Sequence, residues 1–388
     1  MSEPFTGRVP LTTVAREWTR IGVTGFGGPP AHVALLRRLV VDREGWIEPR
    51  EFEDAIAACS LLPGPASTQL AIFCARRVAG PAGALVGGLG FILPAVVLIL
   101  ALSGLFLSSS PPLWVRGAGA GAGAAVAAVA VRAGSGLAWP SWRRARERRL
   151  RWVAYIVAGA VSAATIGPYL VLVLLGCGVI ELLVSGAWRS GLHASGWLPL
   201  PAIGAASASV GGLGALAWVA LKVGALSFGG GFVIIPLMQH DAVQTYHWMS
   251  SGAFLNAVAL GQVTPGPVVA TVAAVGYAAH GVGGGALAAA VAFAPSFLIV
   301  LLAGGHFERL RENVRAQSFL DGAGPAAIGA ILGSAIPLAG ALEETWQYLL
   351  LAAAAVAVLL LRRGVVPTLL WTGAVGAIIA LAGGPVPH

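Results

Sequence analysis

Two cations, Arg20 and Lys222, stand 202 residues apart in mostly apolar surroundings. Ionisable side chains in such segments are costly to keep and generally functional. As ligands, this pair would complement a dianion; the competing role is to snorkel to an interface. The same spacing separates two Pro-Gly-Pro triplets, Pro63-Gly64-Pro65 and Pro265-Gly266-Pro267. It also separates Phe26-Gly27-Gly28 from Phe228-Gly229-Gly230. Proline blocks a helical hydrogen bond but suits the first turn of the next helix, so each triplet predicts a break. The half-helix after a break starts with free N–H groups and the positive end of a dipole. After the first triplet these come with Ser67, Thr68 and Gln69, and after the second with Val268 to Thr271. Hydroxyl and amide donors suit a tetrahedral oxyanion. One break of this kind serves equally to kink a helix for packing, whereas four at matched positions favour a site. Glu53 and Asp54 have Leu255 and Asn256 as counterparts, so an acid there could carry a coupling proton; capping a helix start is the simpler role.

The elements that position these residues belong to a duplicated chain. Besides the motifs, an offset of 202 pairs Gly22 with Gly224, Trp46 with Trp248, Phe52 with Phe254, Gly83 with Gly285 and Phe91 with Phe293, without a gap. The expected organisation is a first membrane repeat, 1–186, a Gly-, Pro- and Ser-rich linker, 187–210, and a second repeat, 211–388. The residues are 57% hydrophobic and 10% charged with mean hydropathy +0.82, which excludes an ordinary soluble domain. Runs such as 82–107 are long enough to cross a ~30 Å hydrocarbon layer. The fold class expected is an all-α polytopic membrane protein whose two repeats hold about five to six segments each, broken or re-entrant at the Phe-Gly-Gly and Pro-Gly-Pro motifs.

Charge gives orientation. The net charge is +8, and arginine supplies every cation but Lys222. Residues 37–50 carry Arg37, Arg38, Arg43 and Arg50, while their counterpart 239–252 carries no Arg or Lys. The arginine-rich stretch 143–151 faces a cation-free counterpart at 345–353. The reverse holds for Arg309, Arg311 and Arg315 against 107–113. Cytoplasmic loops collect Lys and Arg, so equivalent loops are expected on opposite sides and the repeats are expected to be inverted. Arg8, Arg16 and Arg20 run against this assignment. Arg76 and Arg77 join the 37–50 loop on the cytoplasmic side, which makes 52–77 a re-entrant hairpin. The first twenty residues show no signal-peptide pattern.

Other groups carry less. Cys59, Cys74 and Cys177 have no metal-ligand spacing and are expected to be buried and reduced. His32, His240, His247, His280 and His306 show no metal spacing either and are expected at interfaces. Arg116-Gly-Ala-Gly and Asp321-Gly-Ala-Gly match and suggest interface anchors or gates. Gly117–Gly123 is a small-residue packing face. No nucleotide-binding lysine loop is present, which favours a secondary carrier over an ATP-driven pump, and no nucleophile or metal set suggests an enzyme. No catalytic group, metal, cofactor or nucleic acid partner is expected; the bilayer is, and a homodimer stays open.

On these motifs the chain resembles the chromate transporter family in its long, two-domain form. The residues are Gly22-xxx-Phe26-Gly27-Gly28-Pro29, Gly45-Trp46…Phe52, Leu62-Pro63-Gly64-Pro65 and Phe91-xx-Pro94, then Lys222-xGxxx-Phe228-Gly229-Gly230-Gly231, Trp248…Phe254 and Thr264-Pro265-Gly266-Pro267. The match covers most of 12–107 and 213–340. The resemblance implies proton-motive-force-driven export of chromate across the cytoplasmic membrane, resistance to chromate, and competition by sulfate. Ala66-Ser67-Thr68 departs from the family pattern, which bears on substrate preference. A sulfate or other oxyanion importer and an anion channel are the other readings.

Overall fold

The computed structural model describes residues 7–108, 110–146, 148–165, 170–187, 212–227, 232–303 and 313–387. Phe228, Gly229, Gly230 and most of the 187–210 linker lie outside the described residues. The first half runs α1 (Leu11–Thr24), α2 (Pro29–Arg37), a π-helical turn (Arg38–Arg43), α3 (Pro49–Leu61), α4 (Ala66–Phe106), α5 (Leu113–Arg144), α6 (Arg149–Thr165) and α7 (Leu170–Val184). The second runs α8 (Leu213–Ala225), α9 (Ile234–Gln239), a π-helical turn (His240–Thr245), α10 (Ser251–Val263), a 3-10 turn (Val268–Thr271), α11 (Val272–Ala303), α12 (Val314–Gly340), α13 (Thr345–Ala355) and α14 (Val365–Leu381). Among the described residues, four stretches, Ala66–Phe106, Leu113–Arg144, Val268–Leu302 and Val314–Gly340, are long and apolar enough to cross a membrane, and shorter apolar helices accompany them. Large apolar side chains such as Leu172, Leu349 and Ile378 are exposed, as a lipid-facing surface requires. The chain is an all-α polytopic membrane protein.

Each half contains a re-entrant hairpin. Pro49 opens α3 and Pro63 ends it, because proline suits a first helical turn and breaks an interior one. The chain then returns along 66–78. Arg77 Nε lies 2.5 Å from Glu51 Oε1, so the hairpin starts and finishes at the same end of the molecule. Within α4 the backbone leaves helical geometry at Ala79 and Gly80, where Gly80 has φ 70°. A Cβ on Gly88 would lie 2.9 Å from the Ile72 side chain, so the chain doubles back at Gly80 into an arm 81–106. His280 and Gly281, with φ 61°, make the same reversal within α11.

Those reversals correct the ungapped alignment. Ala79-Gly80 corresponds to His280-Gly281, and Pro94 to Pro295, an offset of 201 rather than 202. Gly83 therefore corresponds to Gly284, and Phe91 to Ala292. The cause is the 3-10 turn Val268–Thr271. A 3-10 segment rises about 2.0 Å per residue against about 1.5 Å in an α-helix, so the second return arm reaches the same ~20 Å with one residue fewer.

Helix α1 runs beside both arms of α4, pinned by Trp18 Nε1 donating to the Ala71 carbonyl at 2.8 Å. The arms 81–106 and 282–303 pack antiparallel: Phe297 lies against Gly88, and Leu100 against Gly285. Both contacts extrapolate to Ile92 opposite Phe293. Small residues then interleave the halves. Gly117 and Gly121 of α5 take up Gly376 and Thr372 of α14, and Gly322 and Gly329 of α12 take up Cys177 of α7 and Ile156 of α6. Backbones approach this closely only where side chains are absent.

Candidate functional site

The two Pro-Gly-Pro tips meet the opposite halves at equivalent places. Gly64 has φ 115°, and a Cβ there would lie 3.4 Å from the Gly224 carbonyl and 3.3 Å from Ser296 Oγ. Gly266 has φ 104°, and a Cβ there would lie 3.8 Å from the Gly22 carbonyl and 2.7 Å from Ala95 Cβ. Gly22 and Ala95 are the counterparts of Gly224 and Ser296, so each tip makes the other's contact. Ala95 stands near the middle of arm 81–106, which places the second tip at mid-membrane depth. The Gly266 N–H donates to the Gly25 carbonyl at 3.0 Å. Pro265, Gly266 and Pro267 are buried, as are Gly64 and Pro65, while Pro63 is exposed.

The tips differ in polarity. Beside the second, Val268, Val269 and Ala270 are buried, and Thr271 spends its hydroxyl on the Val268 carbonyl at 2.7 Å. Beside the first, Ser67, Thr68 and Gln69 are all buried. The Gln69 amide donates to the Pro63 carbonyl at 2.6 Å, leaving its oxygen without a partner. His32 Nε2 faces the Gly25 carbonyl at 2.9 Å, and a carbonyl only accepts, so Nε2 carries the proton and Nδ1 accepts from Ser67 Oγ at 3.3 Å. The hydroxyls of Thr68, Ser227 and Ser296 are buried without a hydrogen-bond partner among the described residues. Ser227 is the sequence counterpart of Gly25. Buried unpaired hydroxyls are rare and call for a ligand or water. Thr68 and Ser296 stand at the first tip, and Ser103 and Ser162 are further buried hydroxyls without a partner among the described residues.

His32 is fully buried and meets Phe91 edge-on at 5.0 Å, which corrects its expected interfacial position. Its polar duty to Gly25 and Ser67 holds it inside. Sequence reasoning also missed Ser296, Ser227 and Asp241, whose counterparts are apolar or glycine.

The cations sit in unlike surroundings. Lys222 Nζ lies 2.6 Å from Asp241 Oδ2 and 5.9 Å from the Trp218 ring centre. Arg20 is exposed, and the counterpart of Asp241 in its half is Leu39. The first half instead pairs Glu17 with Arg43 at 2.9 Å. Phe26, Gly27 and Gly28 follow Arg20; Phe26 and Gly27 are exposed and Gly28 half-buried. Glu53 is exposed and pairs with Arg37 at 3.4 Å, and Asp54 is half-buried on the same helix. Both stand about 15 Å along α3 from the tip, at the mouth of the hairpin.

Arg116 and Asp321 mark different clusters. Arg116 donates to the Pro387 carbonyl at 2.8 Å and lines a cavity of about 610 Å³ with Asn256 and Gln347. Arg148 bridges the fully buried Glu181, at 3.2 Å, and Asp321, at 2.5 Å, tying α7 to α12. The Asp321 hydrogen bond pushes the Arg148 guanidinium above its usual range, so it stays charged.

The family model described as "Chromate transporter" matches residues 12–182 and 214–381. A chromate transport protein of Cupriavidus metallidurans is 32% identical over 390 residues, covering 97% of this chain and 94% of that one. A probable chromate transport protein of Synechococcus elongatus is 29% identical, covering 84% of each chain. A chromate transport protein of Pseudomonas aeruginosa is 29% identical, covering 84% of this chain and 80% of that one. No solved structure matches. With both halves matched and similarity running nearly end to end, the chain belongs to the chromate transporter family.

Proposed function

We propose that the chain is a secondary carrier that exports chromate across the cytoplasmic membrane, driven by the proton motive force, and so confers chromate resistance. The observation that carries this reading is the pair of buried, unpartnered hydroxyls of Thr68 and Ser296 at a Pro-Gly-Pro tip seated between the halves. Hydroxyl donors at a water-poor site match the oxygens of a tetrahedral dianion, and sulfate is the natural competitor. Arg20 supplies positive charge, and Lys222 an ammonium that it shares with Asp241, on the approaches to that site. An inside-negative potential favours outward movement of a dianion by about 5 kcal/mol per 100 mV.

The halves are read as an inverted repeat. Opposed arginine bias between equivalent loops supports this, and so does the antiparallel packing of 81–106 on its own counterpart. Equivalent helices related by an axis in the membrane plane run antiparallel, whereas an axis along the membrane normal leaves them parallel. Two tips entering from opposite sides give a site that either face can reach in turn.

Counterflow in proteoliposomes tests the carrier. Unlabelled chromate inside should accelerate entry of labelled chromate, and sulfate inside should do so more weakly. Entry that is indifferent to internal anion, at rates far above carrier turnover, would identify a channel instead.

A further inference from the structure

The second-half cation is already neutralised. The side chains of Lys222 and Asp241 are 20% and 10% exposed, and their charged atoms lie 2.6 Å apart. Asp241 is the second residue of the π-helical turn His240–Thr245. Turns of this type recur at functional sites. The pair occurs once, because the first-half counterparts are Arg20 and Leu39.

A dianion that takes Lys222 as a ligand competes with Asp241 for one ammonium. Asp241 would then be a buried carboxylate without a counter-ion, which is strongly unfavourable. Its neighbours offer no replacement. Helices α9 and α10, packed on the turn, carry no ionisable residue, and Lys222 is the only one on α8. Among the described residues of the turn and the loop folded on it, the remaining titratable groups are Tyr246, which feels the Asp241 charge, His240 beside it in the chain, and His247, whose neighbour Trp248 donates its backbone N–H to the Ala242 carbonyl. None is a permanent cation.

We propose that oxyanion binding at Lys222 is coupled to protonation of Asp241: the anion takes the ammonium, and the carboxylate takes one proton from water. The proton is returned when the anion leaves and Lys222 closes on Asp241 again. This inference rests on the reading of Lys222 as an oxyanion ligand and goes beyond it in fixing the sign of coupling. Proton and anion travel together, so one net negative charge moves per chromate. The electrical part of the proton motive force drives export, and the proton gradient opposes it.

Calorimetry on the full-length protein tests this, with chromate titrated at alkaline pH, where it remains a dianion, in buffers of different ionisation enthalpy. About one proton should be taken up per chromate bound, and affinity should fall about tenfold for each unit rise in pH. Asp241→Asn should bind without proton uptake and without that pH dependence. Asp241→Glu should retain uptake, which misfolding would not give. Chromate binding by the wild type with no proton uptake, or uptake preserved in Asp241→Asn, would overturn the inference and leave the carrier reading standing. Absence of chromate binding by the folded wild type would overturn both.

Discussion

The backbone N–H of Gly266 donates to the carbonyl of Gly25 at 3.0 Å, so the tip of the second hairpin is fastened to the break after α1 in the first half. The fastening depends on glycine, because Gly266 has φ 104° and a Cβ would lie 2.7 Å from Ala95 Cβ. Gly266→Ala should therefore cost at least about 1–2 kcal/mol from backbone conformation alone. Adding Ala95→Gly should relieve the clash but leave that conformational cost. Thermal unfolding of the single and double variants in detergent checks both parts.

Ser296 separates binding from packing. Its hydroxyl is buried and unpartnered among the described residues, so the empty protein gains nothing from it. Ser296→Ala should leave the unfolding temperature equal or slightly raised. Loss of one hydrogen bond to a charged ligand should weaken chromate binding by about 1.5–3 kcal/mol, or roughly tenfold to a hundredfold. Paired melting and binding measurements decide the matter; a lower melting temperature with unchanged binding would make Ser296 structural.

His32 has the opposite role. It holds the Gly25 carbonyl and the Ser67 hydroxyl together inside the core. His32→Leu should leave Ser67 unpaired and cost about 1–3 kcal/mol of stability. His32→Gln should recover part of that. Chemical unfolding of the two variants gives the comparison.

Legibility of the sequence followed its symmetry. Pro63-Gly64-Pro65 and its repeat announced the re-entrant hairpins, because proline chemistry acts locally and needs no tertiary information. The matched cations Arg20 and Lys222 drew attention for the same reason. His32, Ser296 and Asp241 escaped because their counterparts are Ile234, Ala95 and Leu39. A repeat reveals what both copies share and hides what only one has, and the polar groups around the first tip belong to the second kind. Glu53 and Asp54 did break the pattern, yet Glu53 is an exposed partner of Arg37 at the hairpin mouth. Burial separates these cases, and burial depends on the contact between halves. The one-residue slip at Gly281 was hidden likewise, since a 3-10 turn has no strong sequence mark.

Sidedness has its own test. Asp42 and Gln244 are exposed counterparts in the π-helical turns Arg38–Arg43 and His240–Thr245, and the native cysteines are all buried. Asp42→Cys and Gln244→Cys should label from opposite faces of the membrane with an impermeant maleimide. Labelling of both from one face would remove the inverted repeat.

The most direct test of the account is chromate uptake by inverted membrane vesicles, energised by respiration, with an uncoupler and sulfate as controls. Such vesicles expose the cytoplasmic face, so cellular export reads as uptake. The account expects uptake that the uncoupler abolishes, that sulfate competes with, and that Lys222→Gln loses. Energised vesicles containing the folded protein but taking up no chromate would contradict it.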